Sequence, residues 1–128
     1  MDRPTILVVD DELLIRDLLY DFFSGQGWNI AVAEDGEKAL ELVQSRQIDL
    51  VLTDLKMPNM DGITLSTEIK ESHPELPIMV MTAYPSVESA VQALRLKLDD
   101  YIVKPFNINQ LYKNVEKTLN DKSKQREA

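Results

Sequence analysis

Each of five short apolar runs in this chain is followed at once by a residue that could do chemistry. Asp10 and Asp11 follow the first run, Glu34 the second, Asp54 the third, Thr82 the fourth and Lys104 the fifth. Taken singly they are ordinary: Asp10 or Asp11 could cap a helix, Asp54 could form a turn, Thr82 could cap a loop and Lys104 could sit in solvent. Taken together, Asp10, Asp11 and Asp54 would repel one another unless a cation compensates. Oxygen donors without His or Cys suit a hard ion, Mg2+ before Zn2+. The three carboxylates, a divalent ion and the Lys104 ammonium would form a formally neutral cluster, ready to receive a phosphoryl group.

Such a cluster requires elements that bring distant segments to one edge. Thr5–Val9 is continuous and apolar, as a strand buried on both faces should be. Residues 28–33, 50–53, 78–81 and 101–103 read the same way. Between them lie helix-period segments. The first carries Leu14, Leu18 and Phe22 beside Ile15, Leu19 and Phe23, and ends by Gly25 and Gly27. The second follows an Asp35-Gly36 turn and carries Ala39, Leu40 and Val43; the third runs over 63–72, before Pro74. Ser86 caps a fourth with Val87, Ala90, Val91 and Leu94 in register, and Asn107 with Gln110 opens a fifth carrying Ile108, Leu111, Val115 and Leu119. Strands alternating with helices on short connections predict an α/β fold: a five-stranded parallel sheet with helices on both faces. In such a sheet ligands bind beyond the carboxyl ends of the strands, which is where the candidate residues fall.

At 128 residues the chain is one domain's worth, and without cysteine it can hold no disulfide, thiolate nucleophile or zinc-thiolate site. A net charge of −8 disfavours nucleic acid binding by this domain. The longest apolar runs are four residues, too short to span a membrane, and acidic residues directly follow the first, unlike a signal peptide. The expected location is the cytoplasm. Residues 1–100 hold 8 Lys/Arg against 19 Asp/Glu, whereas 101–128 hold 6 against 3, a swing from −11 to +3. Apolar periodicity ends after Leu119, so the expected division is a domain over 1–120 and a charged, frayed tail or linker start over 121–128.

Four motifs identify a family. Val8-Val9-Asp10-Asp11-Glu12, Asp54-Leu55-Lys56-Met57-Pro58-Asn59-Met60-Asp61-Gly62, Thr82-Ala83 and Asp100-Tyr101-Ile102-Val103-Lys104-Pro105-Phe106 closely resemble response-regulator receiver domains of two-component signalling. The likeness covers the chain from about Thr5 to Leu119. It implies the flavodoxin-like, CheY-like strand order 2-1-3-4-5. It also implies that Asp54 is the phosphoacceptor, served by Lys104 and Thr82. Asp11, Asp54 and the main-chain carbonyl of Lys56 would bind Mg2+ (or Mn2+) directly, with Asp10 acting through water. Thr82 and Tyr101 match the switch pair, the Lys104-Pro105 bond would be cis, and Lys56 and Tyr84 occupy the positions where phosphoryl lifetime is tuned. The implied partner is a sensor histidine kinase or histidine phosphotransfer protein, with output or homodimer contacts through helix 4, strand 5 and helix 5. A stand-alone receiver and the N-terminal receiver of a transcriptional regulator both fit; turnover of a free substrate is not expected.

Several details need separate weighing. Met57-Pro58 and Asp61-Gly62 read as turn formers. His73 reads as surface, and the methionines as core or loop filler. Lys97-Leu98 replaces the small pair usual before the last strand, which should disturb that turn and expose apolar surface. Pro85 should stiffen the loop after Thr82. The alternative from another class is a haloacid-dehalogenase-like Mg2+-dependent phosphohydrolase, but Asp10-Asp11-Glu12 lacks that family's Asp-x-Asp pattern.

Overall fold

A computed structural model describes residues 3–127. Strand and helix alternate throughout: β1 (Thr5–Val9), α1 (Leu13–Gly25), β2 (Asn29–Ala33), α2 (Gly36–Ser45), β3 (Leu50–Asp54), α3 (Gly62–Ser72), β4 (Ile78–Thr82), α4 (Val87–Arg95), β5 (Asp100–Val103) and α5 (Ile108–Glu127). The strands make one parallel sheet in the order β2-β1-β3-β4-β5, the flavodoxin-like arrangement. Val9 pairs with Ala33 and Thr53, Asp54 with Met81, and Thr82 with Val103. The carboxyl ends therefore finish nearly level, and the residues on them become neighbours.

Successive strand residues point to opposite faces, and each face builds its own core. On one side Leu7, Val9, Val51 and Val80 pack with Leu65 of α3 and Val43 of α2. On the other, Ile6, Leu52 and Met81 pack with Leu19 and Phe23 of α1 and Leu111 of α5. Burial on both faces explains why the strands read as unbroken apolar runs. Trp28 stands just before β2, where its ring lies 5.4 Å from Phe23 and 5.0 Å from Tyr112.

Helix starts follow side-chain chemistry. Asp35, Asp61 and Ser86 each accept a backbone N–H at the third position of α2, α3 and α4, and Asn107 does the same for Gln110 in α5. Asp35-Gly36 is thus a helix start rather than a free turn. His73 caps the end of α3 in a partly exposed position.

Apolar periodicity located the helices better than their buried faces. In α1 the row Ile15, Leu19 and Phe23 faces the sheet, while Leu14 and Leu18 are 81% and 48% exposed. In α4 the buried residues are Ser89 and Ala93, and Val87 and Leu94 lie outside at 82% and 76%. A small buried row lets α4 lie close to β5; the larger apolar residues fall on the solvent side.

The turn before β5 keeps its shape without glycine. Lys97 takes the left-handed conformation, φ 58°, which a non-glycine residue adopts at some energetic cost. Leu98 is not the exposed apolar residue expected: its N–H donates to Ala93 at 3.0 Å and its side chain packs partly buried on the core. α5 continues past residue 120 to Glu127, and Lys122 pairs with Asp99 at 3.6 Å. Among the described residues no helix is long and apolar enough to cross a membrane.

Candidate functional site

Asp10 is the hub of the level strand ends. It is fully buried, and its backbone N–H donates to the Ala33 carbonyl at 3.1 Å. Oδ1 accepts the Glu12 N–H at 2.9 Å, Oδ2 accepts the Lys104 ammonium at 2.8 Å, and the carbonyl accepts Arg16 Nη1 at 2.6 Å. Four partners fix both the carboxylate and the peptide that starts the β1–α1 loop. The Lys104 ammonium also stands 3.5 Å from Asp54 Oδ1 and 3.8 Å from Glu12 Oε1.

Asp54 is 5% exposed at the end of β3. Its pKa is pushed up to about 6, chiefly by burial and then by the charge of Asp10; Lys104 opposes this and Asp11 adds to it. Burial works against the Lys104 ammonium, yet Asp10, through hydrogen bond and charge, and then Asp54 and Glu12 hold its pKa above the ordinary value. One ammonium cannot balance this much acid, so the pocket is short of positive charge.

Among the described residues, one oxygen each from Asp10, Glu12 and Asp54 lies within 4.8 Å of the others, a grouping able to hold a cation. An all-carboxylate donor set suits a hard divalent ion such as Mg2+. Asp11, expected as a direct ligand, is exposed and stands outside that group, although its charge reaches Asp54. Glu12 joins it without having been singled out beforehand; its place two residues after Asp10 was the available signal. Lys56, two residues past Asp54, is exposed.

Thr82 is fully buried at the end of β4, and its Oγ1 accepts the Tyr84 N–H at 3.0 Å. Its carbonyl accepts the Lys104 N–H at 2.8 Å, and the Lys104-Pro105 bond is cis. Tyr84 is 73% exposed. Tyr101 is half-buried, with its hydroxyl 2.6 Å from Ser89 Oγ under the start of α4.

Gly62 does more than form a turn. A Cβ there would sit 2.5 Å from the Asp54 carbonyl oxygen, so the start of α3 approaches the end of β3 as only glycine permits. Met57 and Met60 pack on the core from the same loop. A concavity of about 510 Å3 lies at the amino ends of the strands between Thr5, Trp28, Asn29 and Leu119, away from this cluster.

The family described as response regulator receiver domain matches residues 6–116. The chain is 44% identical over 114 residues to the transcriptional regulatory protein ZraR of Salmonella typhi, which covers 89% of this chain and 26% of that protein. The chain therefore spans about a quarter of the length of the curated relatives it matches. A receiver domain protein (CheY-like) from Methanospirillum hungatei superposes with a TM-score of 0.94 at 27% identity, covering 97% of this chain and 99% of that one. The response regulator TrrA from Thermotoga maritima, solved in complex with Mg(2+)-BeF, gives 0.81 at 38% identity over 89% of this chain and 97% of that one. The phosphohydrolase alternative finds no support in these similarities. Motifs, strand order and the match over residues 6–116 agree: this chain belongs to the response regulator receiver domain family.

Proposed function

We propose that Asp54 accepts a phosphoryl group from a phosphohistidine of a sensor histidine kinase or histidine phosphotransfer protein, and that the domain works as the resulting switch. The observation that carries this reading is Lys104, which bridges Asp10 and Asp54 where four strand ends meet. An Asp54 carboxylate oxygen attacks phosphorus in line, the P–N bond breaks, and the imidazole nitrogen leaves with the electron pair. An ammonium has three donors; Lys104 gives one to Asp10, which leaves others for phosphoryl oxygens. Thr82 Oγ1 accepts from Tyr84, so its own proton is free to donate. Catalysis here is positioning plus charge compensation.

Asp10, Glu12 and Asp54 fit Mg2+, for which Mn2+ could substitute. The family resemblance adds Asp11 and the Lys56 carbonyl as ligands, with Asp10 reaching through water. When bound, the ion supplies positive charge to the carboxylates and phosphoryl oxygens.

After transfer, Thr82 is drawn toward the phosphoryl group and the inward position of Tyr101 under α4 is favoured, biasing an existing two-state equilibrium. The output is a changed surface. Exposed Val87, Leu94 and Val103 put apolar area on α4 and β5 for an output domain or a second copy. Leu13 and Leu14, 59% and 81% exposed beside the acidic loop, offer the phosphodonor a docking edge on α1. Similarity to ZraR supports a place in a transcriptional regulator. The reading is tested by incubation with a phosphorylated histidine phosphotransfer protein: label should move to this chain with Mg2+ and stay on the donor with chelator.

A further inference from the structure

Beneath the first turn of α4, three hydroxyls close on one another. Ser86 Oγ accepts the Ser89 N–H at 3.0 Å and donates to Ser89 Oγ at 2.9 Å. Ser89 Oγ donates to the Ser86 carbonyl at 3.2 Å and lies 2.6 Å from the Tyr101 hydroxyl. That hydroxyl also accepts the Ser86 N–H at 3.2 Å. With the Ser89 proton on the Ser86 carbonyl, the Tyr101 hydroxyl donates to Ser89 Oγ; with the direction reversed, Ser89 donates to the phenol, and in both arrangements the contact needs the serine hydroxyl. Ser89 is buried at 7% exposure.

The network begins two residues after the Tyr84 N–H that binds Thr82 Oγ1. Pro85 stands between them and limits the backbone's freedom. A displacement of Thr82 is thus carried through a short, stiff segment to Ser86, and from Ser86 to the Tyr101 hydroxyl.

We propose that Ser86 and Ser89 are positioning residues of the switch, holding the Tyr101 hydroxyl against α4 and joining it to the segment that follows Thr82. This rests on the receiver reading above. Ser89→Ala removes the hydroxyl on α4 that Tyr101 meets at 2.6 Å and frees the ring to leave. Because the inward ring belongs to the signalling state, the population competent for a phosphoryl mimic falls and apparent affinity falls with it.

The test is titration of the purified chain with beryllofluoride and Mg2+, followed by NMR, for wild type, Ser89→Ala, Tyr101→Phe and the double variant. Ser89→Ala should raise the midpoint about fivefold, the worth of one ordinary hydrogen bond. It should add nothing in the Tyr101→Phe background, because its effect passes through the phenol. An unchanged midpoint in Ser89→Ala, or the same shift with and without the phenol, would overturn the proposal. Failure of the receiver reading looks different: wild type would not respond to beryllofluoride at all. The network is then judged by the Ser86 and Ser89 amide resonances, which must move in Tyr101→Phe; if both stay in place, the proposal is wrong.

Discussion

The Lys104 ammonium and the Asp10 carboxylate meet at 2.8 Å although 94 residues separate them in the chain. The two side chains are 9% and 0% exposed, so the pair is buried and each charge depends on the other. Removing one partner strands the other, the costly case for buried ions. Lys104→Ala should destabilise the protein by roughly 3 kcal/mol and abolish efficient phosphoryl acceptance. Asp10→Asn combined with Lys104→Ala should be less destabilising than the sum of the single changes. Urea unfolding of the three variants checks this; strictly additive losses would contradict it.

Asp54 gives the metal-free protein a pH signature. Its folded pKa of about 6 lies above the ordinary 3.8, so the folded state holds this proton more tightly. Stability from this group is complete below the unfolded pKa and is lost as pH rises through about 6. Asp54→Asn should therefore exceed wild type by about 2–3 kcal/mol near pH 7, with the gap closing toward pH 4. Saturating Mg2+ should narrow the gap at pH 7 by binding wild type better. Chemical denaturation across this range measures it, and a gap independent of pH would be the contrary result.

Gly62→Ala should both loosen and misplace the end of β3 that carries Asp54. The added methyl meets the Asp54 carbonyl oxygen, a backbone atom with little room to yield. A loss of about 1–3 kcal/mol is expected, as for overpacking, together with slower phosphorylation of the folded fraction. Gly25→Ala, where nothing lies within 4 Å of the added carbon, is the control.

Phosphoryl lifetime should be long. Lys56 and Tyr84 stand two residues past Asp54 and Thr82, and neither side chain is a carboxylate or amide that could orient water in line. A tenfold effect at each position requires only about 1.4 kcal/mol of barrier. Decay of phospho-Asp54 after donor removal should take many minutes to hours, and Lys56→Asn with Tyr84→Ala should speed it. Decay in seconds, or no acceleration in the double variant, would refute this role for the two residues.

The strands and the site were legible because buried parallel strands leave apolar runs, and function places polar residues at their carboxyl ends. Thr5–Val9 ends where its apolar run ends, and Asp10, Asp54, Thr82 and Lys104 converge as the alternation of elements implied. What tertiary packing decides was not legible. Val87, Ala90, Val91 and Leu94 share one helix face, yet α4 buries Ser89 because Tyr101 supplies a hydroxyl beneath it. Glu12 enters the acidic group only through the path of the β1–α1 loop. Lys97 shows the converse: the turn keeps its left-handed shape, φ 58°, without the residue type that signals it.

The most direct measurement is intact-mass spectrometry of the chain after incubation with acetyl phosphate. With Mg2+ present, wild type should gain one phosphoryl group, mapped to Asp54 by peptide fragmentation. The gain should vanish with chelator and in Asp54→Asn. Phosphorylation of Asp54→Asn at the wild-type level, or equal phosphorylation of wild type with and without divalent metal, would contradict the central role of this carboxylate cluster.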